Sequence, residues 1–221
     1  MSPDTSPVLE VRGLACAAGL RPLFRGLGLR IEAGAWTMLV GANGSGKSTL
    51  LRALAGLTAP LAGAIHWCGA PRRVNDAGWR AQCLYQGHAS GWKDGFDARE
   101  NLAWQLACDG LPAGRARVDA ALERVGLASR ATLPFARLSA GQRRRLSLAR
   151  LSCSHARRLW LLDEPGTALD RDGWQLLGTL IDAHLQAGGL ALVATHQPLP
   201  CASEPQRLSL DDLDNPDGLP R

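Results

Sequence analysis

An α/β fold with a mostly parallel sheet is what the sequence predicts, and three observations carry that reading. Strand-like and helix-like segments alternate along most of the 221 residues. The apolar run Trp36–Val40 enters a glycine-rich turn, and leucines and alanines at helical spacing follow it over residues 48–57. Between residues 98 and 154 strand signal is nearly absent, which marks a helical subdomain inserted in the α/β core.

In chain order, residues 8–12 and 27–31 read as short N-terminal strands, expected to pair antiparallel. Trp36–Val40 is a buried strand, and the helix after the glycine-rich turn closes at Gly56 and Pro60. Residues 64–68 and 83–85 are further strands. Helices are expected over Ala98–Cys108, 113–125 and 140–151, with breaks at Gly110-Leu-Pro112 and Leu133-Pro134. The core resumes with a strand at 158–163, a helix at Arg171–Gln186 and a strand at 190–195. The Pro- and Asp-rich tail over 211–217 is expected to fray. No internal repeat is visible. The organisation is one domain over residues 1–221, with 1–90 and 158–221 as the α/β core and 91–157 as the helical subdomain.

Composition bounds the function classes. Hydrophobic residues make up 46% and charged residues 20%, enough for a sizeable core and too apolar for disorder. The net charge of +5 is carried by arginine, because Lys47 and Lys93 are the only lysines. The cations are scattered apart from Arg143-Arg144-Arg145, so charge gives no argument for nucleic acid, and that run reads as a solvated helix face. No apolar run approaches the roughly eighteen residues a membrane helix needs. The first residues lack the basic and apolar regions of a signal peptide. The six cysteines show neither CxxC nor zinc spacing, which suits reduced, mostly buried thiols in a cytoplasmic protein; without CxxCH, covalent haem attachment is not expected.

Residues 41–48 (Gly41, Ala42, Asn43, Gly44, Ser45, Gly46, Lys47, Ser48), with Thr49 after them, match G-x-x-x-x-G-K-[ST] between a predicted strand and a predicted helix. Glycines let backbone N–H groups close around phosphate oxygens, and the helix N-terminus adds the positive end of its dipole. Lys47 would reach the β- and γ-phosphates of ATP, and the Ser48 hydroxyl would ligate Mg²⁺. A plain glycine-rich turn does not require that lysine or those flanks. Leu159-Trp-Leu-Leu-Asp163-Glu164 is an apolar strand ending in two carboxylates. Alone, two acids after a core strand are often a solvated strand end. Downstream of a P-loop they are candidates for metal holding (Asp163) and for polarising the attacking water (Glu164).

Those two elements occur in many nucleoside triphosphatases. The discriminating segment is Leu138-Ser139-Ala140-Gly141-Gln142, about ninety residues beyond the P-loop. It closely resembles the signature of the ABC ATPase family, and Ser139 is placed to cap the helix that follows. The resemblance implies a P-loop NTPase core and a signature that acts in trans, closing over the γ-phosphate held by a second chain. It makes Asp170, in Ala168-Leu169-Asp170, a D-loop residue, and His196 the switch histidine that contacts the γ-phosphate. His66, His88, His155 and His184 have no such placement and read as structural or surface residues.

Two departures from the family stand out. No aromatic occurs over residues 16–20, where the family stacks adenine, and Phe24 is a weak substitute. The family's Mg²⁺-touching glutamine has two possible positions: Gln86, or Ala89 when Gly87-His88 and Glu100-Asn-Leu102 are aligned to the subfamily.

Within the family the chain resembles the ATP-binding subunits of the cytochrome c maturation haem exporter, through Leu23-Phe24-Arg-Gly-Leu27, Gly87-His88 with Gly91 and Lys93, and Thr195-His196-Gln197-Pro198-Leu199. That implies an ATPase dimer on the cytoplasmic face of a bacterial inner membrane, working separate integral membrane subunits, with no nucleic acid partner. A lipoprotein-release exporter subunit is the alternative. Residues 86–104, with Trp92, Phe96 and Trp104, are the expected groove for the membrane partner, although Trp104 can equally be core of the helical subdomain.

Overall fold

The computed structural model describes residues 8–73, 76–87 and 91–213, so His88, Ala89 and the tail from 214 onward lie outside the described residues. The elements are β1 (Val8–Ala18), β2 (Arg21–Glu32), β3 (Trp36–Val40), α1 (Lys47–Leu54), β4 (Ala62–Trp67), β5 (Ala70–Arg72), α2 (Ala77–Arg80), β6 (Cys83–Gln86), α3 (Ala98–Cys108), α4 (Arg115–Arg124), α5 (Ala140–Ser152), β7 (Leu159–Asp163), α6 (Arg171–Gln186), β8 (Leu190–Ala194) and β9 (Gln206–Ser209). They build a four-stranded antiparallel sheet, β2-β1-β4-β5, and a five-stranded parallel sheet, β6-β7-β8-β3-β9.

The parallel sheet is covered on both faces, and its sequence says why. Every residue of β7 and β8 is buried, the unbroken apolar run of a strand with no solvent face. Side chains alternate across the sheet. Trp160, Leu162, Ala191 and Val193 pack with α3, α4, α5 and α6, whereas Leu159, Leu161, Leu190 and Leu192 pack with α1 and the antiparallel sheet. Truncating one of these leucines to alanine costs about 2–5 kcal/mol. Because the strands are parallel, the C-terminal ends of β3, β7 and β8 open on one edge, with Leu39 and Asp163 both in register with Ala194. That edge is where an open α/β sheet binds its ligand.

Differences from the sequence reading have local causes. β1 and β2 run much longer than expected and turn at Gly19 and Leu20. Register shifts between Val11 and Leu14 break the alternation that would have revealed them. The short β5 and β9 and the four-residue α2 escaped notice; α2 is held by Asp76, whose carboxylate accepts from Trp79 N–H at 2.9 Å. The start of the tail does not fray: Leu210 N–H donates to Val40 O at 3.0 Å, and Asp211 reaches the P-loop. The thiols are all free but not mostly buried. Cys16 and Cys153 are buried, Cys83 and Cys201 half-buried, Cys68 and Cys108 exposed. Among the described residues no helix is long and apolar enough to cross a membrane.

Candidate nucleotide site

The P-loop leaves β3 at Gly41 and delivers α1 at Lys47. Gly46 sits at φ +107°, and a Cβ there would come within 3.1 Å of the Phe24 ring, so only glycine fits. It is also the N-cap of α1 and supplies no side-chain acceptor, which leaves the first-turn N–H groups pointing out of the helix for an anion. Lys47 is only 8% exposed; its Nζ donates to Gly41 O at 2.6 Å and Ala42 O at 3.1 Å. The Ser45 hydroxyl is buried without a hydrogen-bond partner among the described residues. Asn43, Gly44, Gly46, Lys47, Ser48 and Thr49 line a cavity of about 290 Å³, with Asp163 and Glu164 on the same wall. The glycine-rich loop and the two carboxylates therefore line one cavity.

Asp163 ends β7 at 4% exposure. Glu164 follows at φ +49°, a left-handed conformation that costs a non-glycine residue about 1 kcal/mol. Its N–H donates to Ala194 O at 2.9 Å, which fastens the strained residue to β8. His196 Nε2 lies 3.4 Å from Glu164 Oε1, ion-pair range for a protonated ring, although that oxygen has no hydrogen-bond partner among the described residues. The Thr195 hydroxyl donates to Gln197 O and accepts from Gln197 N–H, closing the turn that carries His196. A second cavity of about 530 Å³ joins Glu164 and His196 to Ala168 and Asp170.

The signature lies apart from this edge. Ser139 Oγ accepts from Gln142 N–H at 3.2 Å while Gln142 Oε1 accepts from Ser139 N–H at 3.0 Å, a reciprocal cap on α5. Leu138 is buried beneath it and Ala140 is exposed. Ser139, Gly141 and Gln142 border a depression of about 340 Å³ with Arg145, Ala168 and Asp170, which shares no residue with the P-loop cavity. Gly141 packs closely on the loop before Asp170: a Cβ there would sit 3.3 Å from Ala168 O, a tight contact.

The arginine run is not a solvated face. Arg143 donates to Leu138 O and Ala136 O, and Arg145 to Val125 O and Asp170. Arg144 is buried, its Nε without a partner among the described residues; burial depresses its pKa, opposed by the charges of Glu164 and Asp163. Each cation is thus turned inward, a role that a run of like charges does not announce.

Gln86 does not line the P-loop cavity. It is 3% exposed, its amide atoms have no partner among the described residues, and it borders a separate cavity of about 180 Å³. Trp92 Nε1 and Ser147 Oγ, also buried and without partners among the described residues, belong to residues on that same cavity. Phe24 is fully buried and cannot stack on a base; Ala18 and Leu23 occupy the rim instead. Trp104 and Phe96 are partly exposed, whereas Trp92 packs against the helical core, its ring 6.1 Å from Phe135. His184 is buried and stacked on Trp160 at 4.0 Å, a structural histidine. Asp211 and the Gly166–Trp174 contact are site features that the sequence reading missed; neither lies in a motif.

Comparison with known proteins agrees with this geometry. The family model described as ABC transporter matches residues 24–167. The chain belongs to the ABC transporter family. The cytochrome c biogenesis ATP-binding export protein CcmA 1 of Salmonella paratyphi A is 46% identical over 201 residues, covering 90% of this chain and 95% of that protein. The protein of the same name in Cupriavidus metallidurans is 45% identical over 195 residues, 88% and 94% of the two chains. Among solved structures, a putative ABC transporter ATP-binding protein from Pyrococcus furiosus superposes with a TM-score of 0.78 at 22% identity, over 93% of this chain and 98% of that one. It shows that this ABC transporter chain has the fold of other ATP-binding subunits.

Proposed function

We propose that this chain is the ATP-hydrolysing subunit of a bacterial exporter that serves haem delivery in cytochrome c biogenesis. The observation that carries the mechanism is the separation of the P-loop cavity from the signature depression within one chain. One chain holds phosphates on residues 41–49 but cannot close over them. A second chain brings Ser139, Ala140, Gly141 and Gln142, with Leu138 packed behind, onto the γ-phosphate, so two chains enclose two ATP molecules. The kinship with the Salmonella and Cupriavidus export proteins supports the biological assignment.

The donor set suits Mg²⁺. Ser48 offers a hydroxyl and Asp163 a carboxylate on one cavity. Both are hard oxygen ligands, and among the described residues no cluster of three His, Cys, Asp or Glu side chains forms an all-protein cage. Two such oxygen donors beside a phosphate site suit a cation held chiefly by phosphate and water oxygens. When bound it neutralises charge building on the bridging phosphate oxygens. Lys47 leaves the Gly41 and Ala42 carbonyls to meet the β- and γ-phosphates. Glu164, aimed by its strained backbone, accepts hydrogen-bonding from the attacking water. His196, beside Glu164, contacts the γ-phosphate and loses that contact on hydrolysis, so the dimer relaxes.

The membrane subunit docks at the cavity of Gln86, Trp92 and Ser147, on the cytoplasmic face of the inner membrane. Buried polar atoms without protein partners are costly, and a polar helix end of the membrane subunit would satisfy them. Substituting Trp92→Ala is expected to reduce co-purification with the membrane subunit; undiminished capture argues against this surface. For the biological role, a strain lacking the gene is expected to lose haem-stained c-type cytochromes and to regain them with the wild-type chain but not with Glu164→Gln. Restoration by that variant would overturn the proposal.

A further inference from the structure

The first peptide of the P-loop, Gly41–Ala42, is gripped from both sides. Its carbonyl accepts from Lys47 Nζ at 2.6 Å, and its N–H donates to both carboxylate oxygens of Asp211, at 3.1 and 3.0 Å. None of the described peptides is cis, so N–H and C=O point opposite ways and the ammonium and the carboxylate stand on opposite sides of the loop. Both bonds are charge-assisted, and each polarises the peptide in the sense that strengthens the other.

A backbone ladder sets the position of Asp211. β9 pairs parallel with β3 with Val40 opposite Ser209, and Leu210 N–H continues the ladder to Val40 O at 3.0 Å. Leu210 is fully buried, with its Cβ 3.4 Å from where a Cβ on Gly41 would lie. Asp211 N–H donates to Ser209 Oγ at 3.2 Å. An acid this close to a polyanion site works against the ligand's charge, so its placement calls for a compensating role.

We infer that Asp211 is a positioning residue for nucleotide binding: it fixes the Gly41–Ala42 peptide so that Lys47 and the N–H groups of the loop are presented at phosphate spacing. The inference rests on reading residues 41–49 as the phosphate cradle. Asp211 itself touches no phosphate. The bond needs an acceptor rather than a charge, so an amide oxygen at the same place retains it.

The test is Mg-ATP affinity of the full chain by titration calorimetry, with thermal melting recorded alongside. Asp211→Ala is expected to raise Kd about fivefold or more, and Asp211→Asn to stay within about twofold of wild type. An unchanged Kd in the alanine variant overturns the inference; so does equal weakening in both variants, which would show that an acceptor oxygen at this position is not what presents the loop. Lys47→Ala, run in parallel, tests the cradle separately, because wild-type binding there defeats the underlying reading whatever Asp211 does. If Asp211→Ala does not fold, hydrogen exchange at the Ala42 amide of the wild-type chain decides: protection is expected, and exchange at the rate of an open loop overturns the inference.

Discussion

Arg145 Nη2 donates to both carboxylate oxygens of Asp170, at 2.8 and 2.7 Å, while Asp170 Oδ1 caps α6 by accepting from Gly173 N–H at 2.9 Å. The arginine bond is the chief reason the Asp170 pKa lies below the usual carboxylate range. One residue of α5 thus holds the loop that leads from Glu164, so the start of α6 and the helix behind Ser139 are positioned together.

Arg145→Ala should therefore weaken ATP-driven dimerisation. In a Glu164→Gln background the dimer fraction measured by light scattering is expected to fall at least about threefold. A dimer fraction equal to that of the parent would show that the two elements hold position independently.

Gly166 and Trp174 form a second constraint on the same loop. A Cβ on Gly166 would lie 1.8 Å from the Trp174 ring, so Gly166→Ala must displace the indole. Overpacking of this kind costs about 1–3 kcal/mol. Turnover is expected to drop about tenfold, and Gly166→Ala/Trp174→Leu should recover most of it. No recovery in the double variant would locate the defect elsewhere.

The buried His184 makes stability depend on pH. Burial is the main cause that lowers its pKa from 6.5 to about 4, against a smaller opposing effect of the Leu190 carbonyl, which its Nε2 meets at 3.2 Å. As pH falls the unfolded chain takes up the proton first. The stability is complete above pH 6.5, is lost between 6.5 and about 4, and changes no further below that. The full span is about 3 kcal/mol. Urea denaturation at pH 7 and pH 5 should show this loss, and His184→Gln should flatten it; an unchanged slope in that variant would assign the dependence to other groups.

The parts of this molecule legible in its sequence are those with a strong local signal. The strand Trp36–Val40 and the helices Ala98–Cys108 and Arg171–Gln186 lie where the sequence reading placed them, and the two helices start at Asp97 and Asp170, caps that act within a few residues. The P-loop and the Asp163–Glu164 pair converge because parallel strands bring their C-terminal ends to one edge. Features that arise only in three dimensions were not legible. β9 and Asp211 are defined by pairing with β3 from 169 residues away, the separation between Ala42 and Asp211. The inward turn of Arg143 and Arg145 depends on distant acceptors, Ala136 O and Leu138 O for the first and Val125 O and Asp170 for the second, and Arg144 is simply buried. Neither composition nor periodicity encodes such partners.

Lys47→Ala leaves phosphate charge uncompensated and empties the bonds to Gly41 and Ala42. Mg-ATP affinity or turnover is expected to fall at least about tenfold, read by calorimetry and phosphate release. Wild-type values would remove Lys47 from the site.

The central claim is that each ATP is enclosed between the P-loop of one chain and the signature of another. Glu164→Gln leaves residues 41–49 intact while removing the carboxylate proposed to polarise the attacking water. With Mg-ATP this variant is predicted to accumulate as a dimer in size-exclusion chromatography with light scattering, and adding Ser139→Arg to it should abolish that dimer. A Glu164→Gln chain that binds ATP yet remains monomeric would contradict the account.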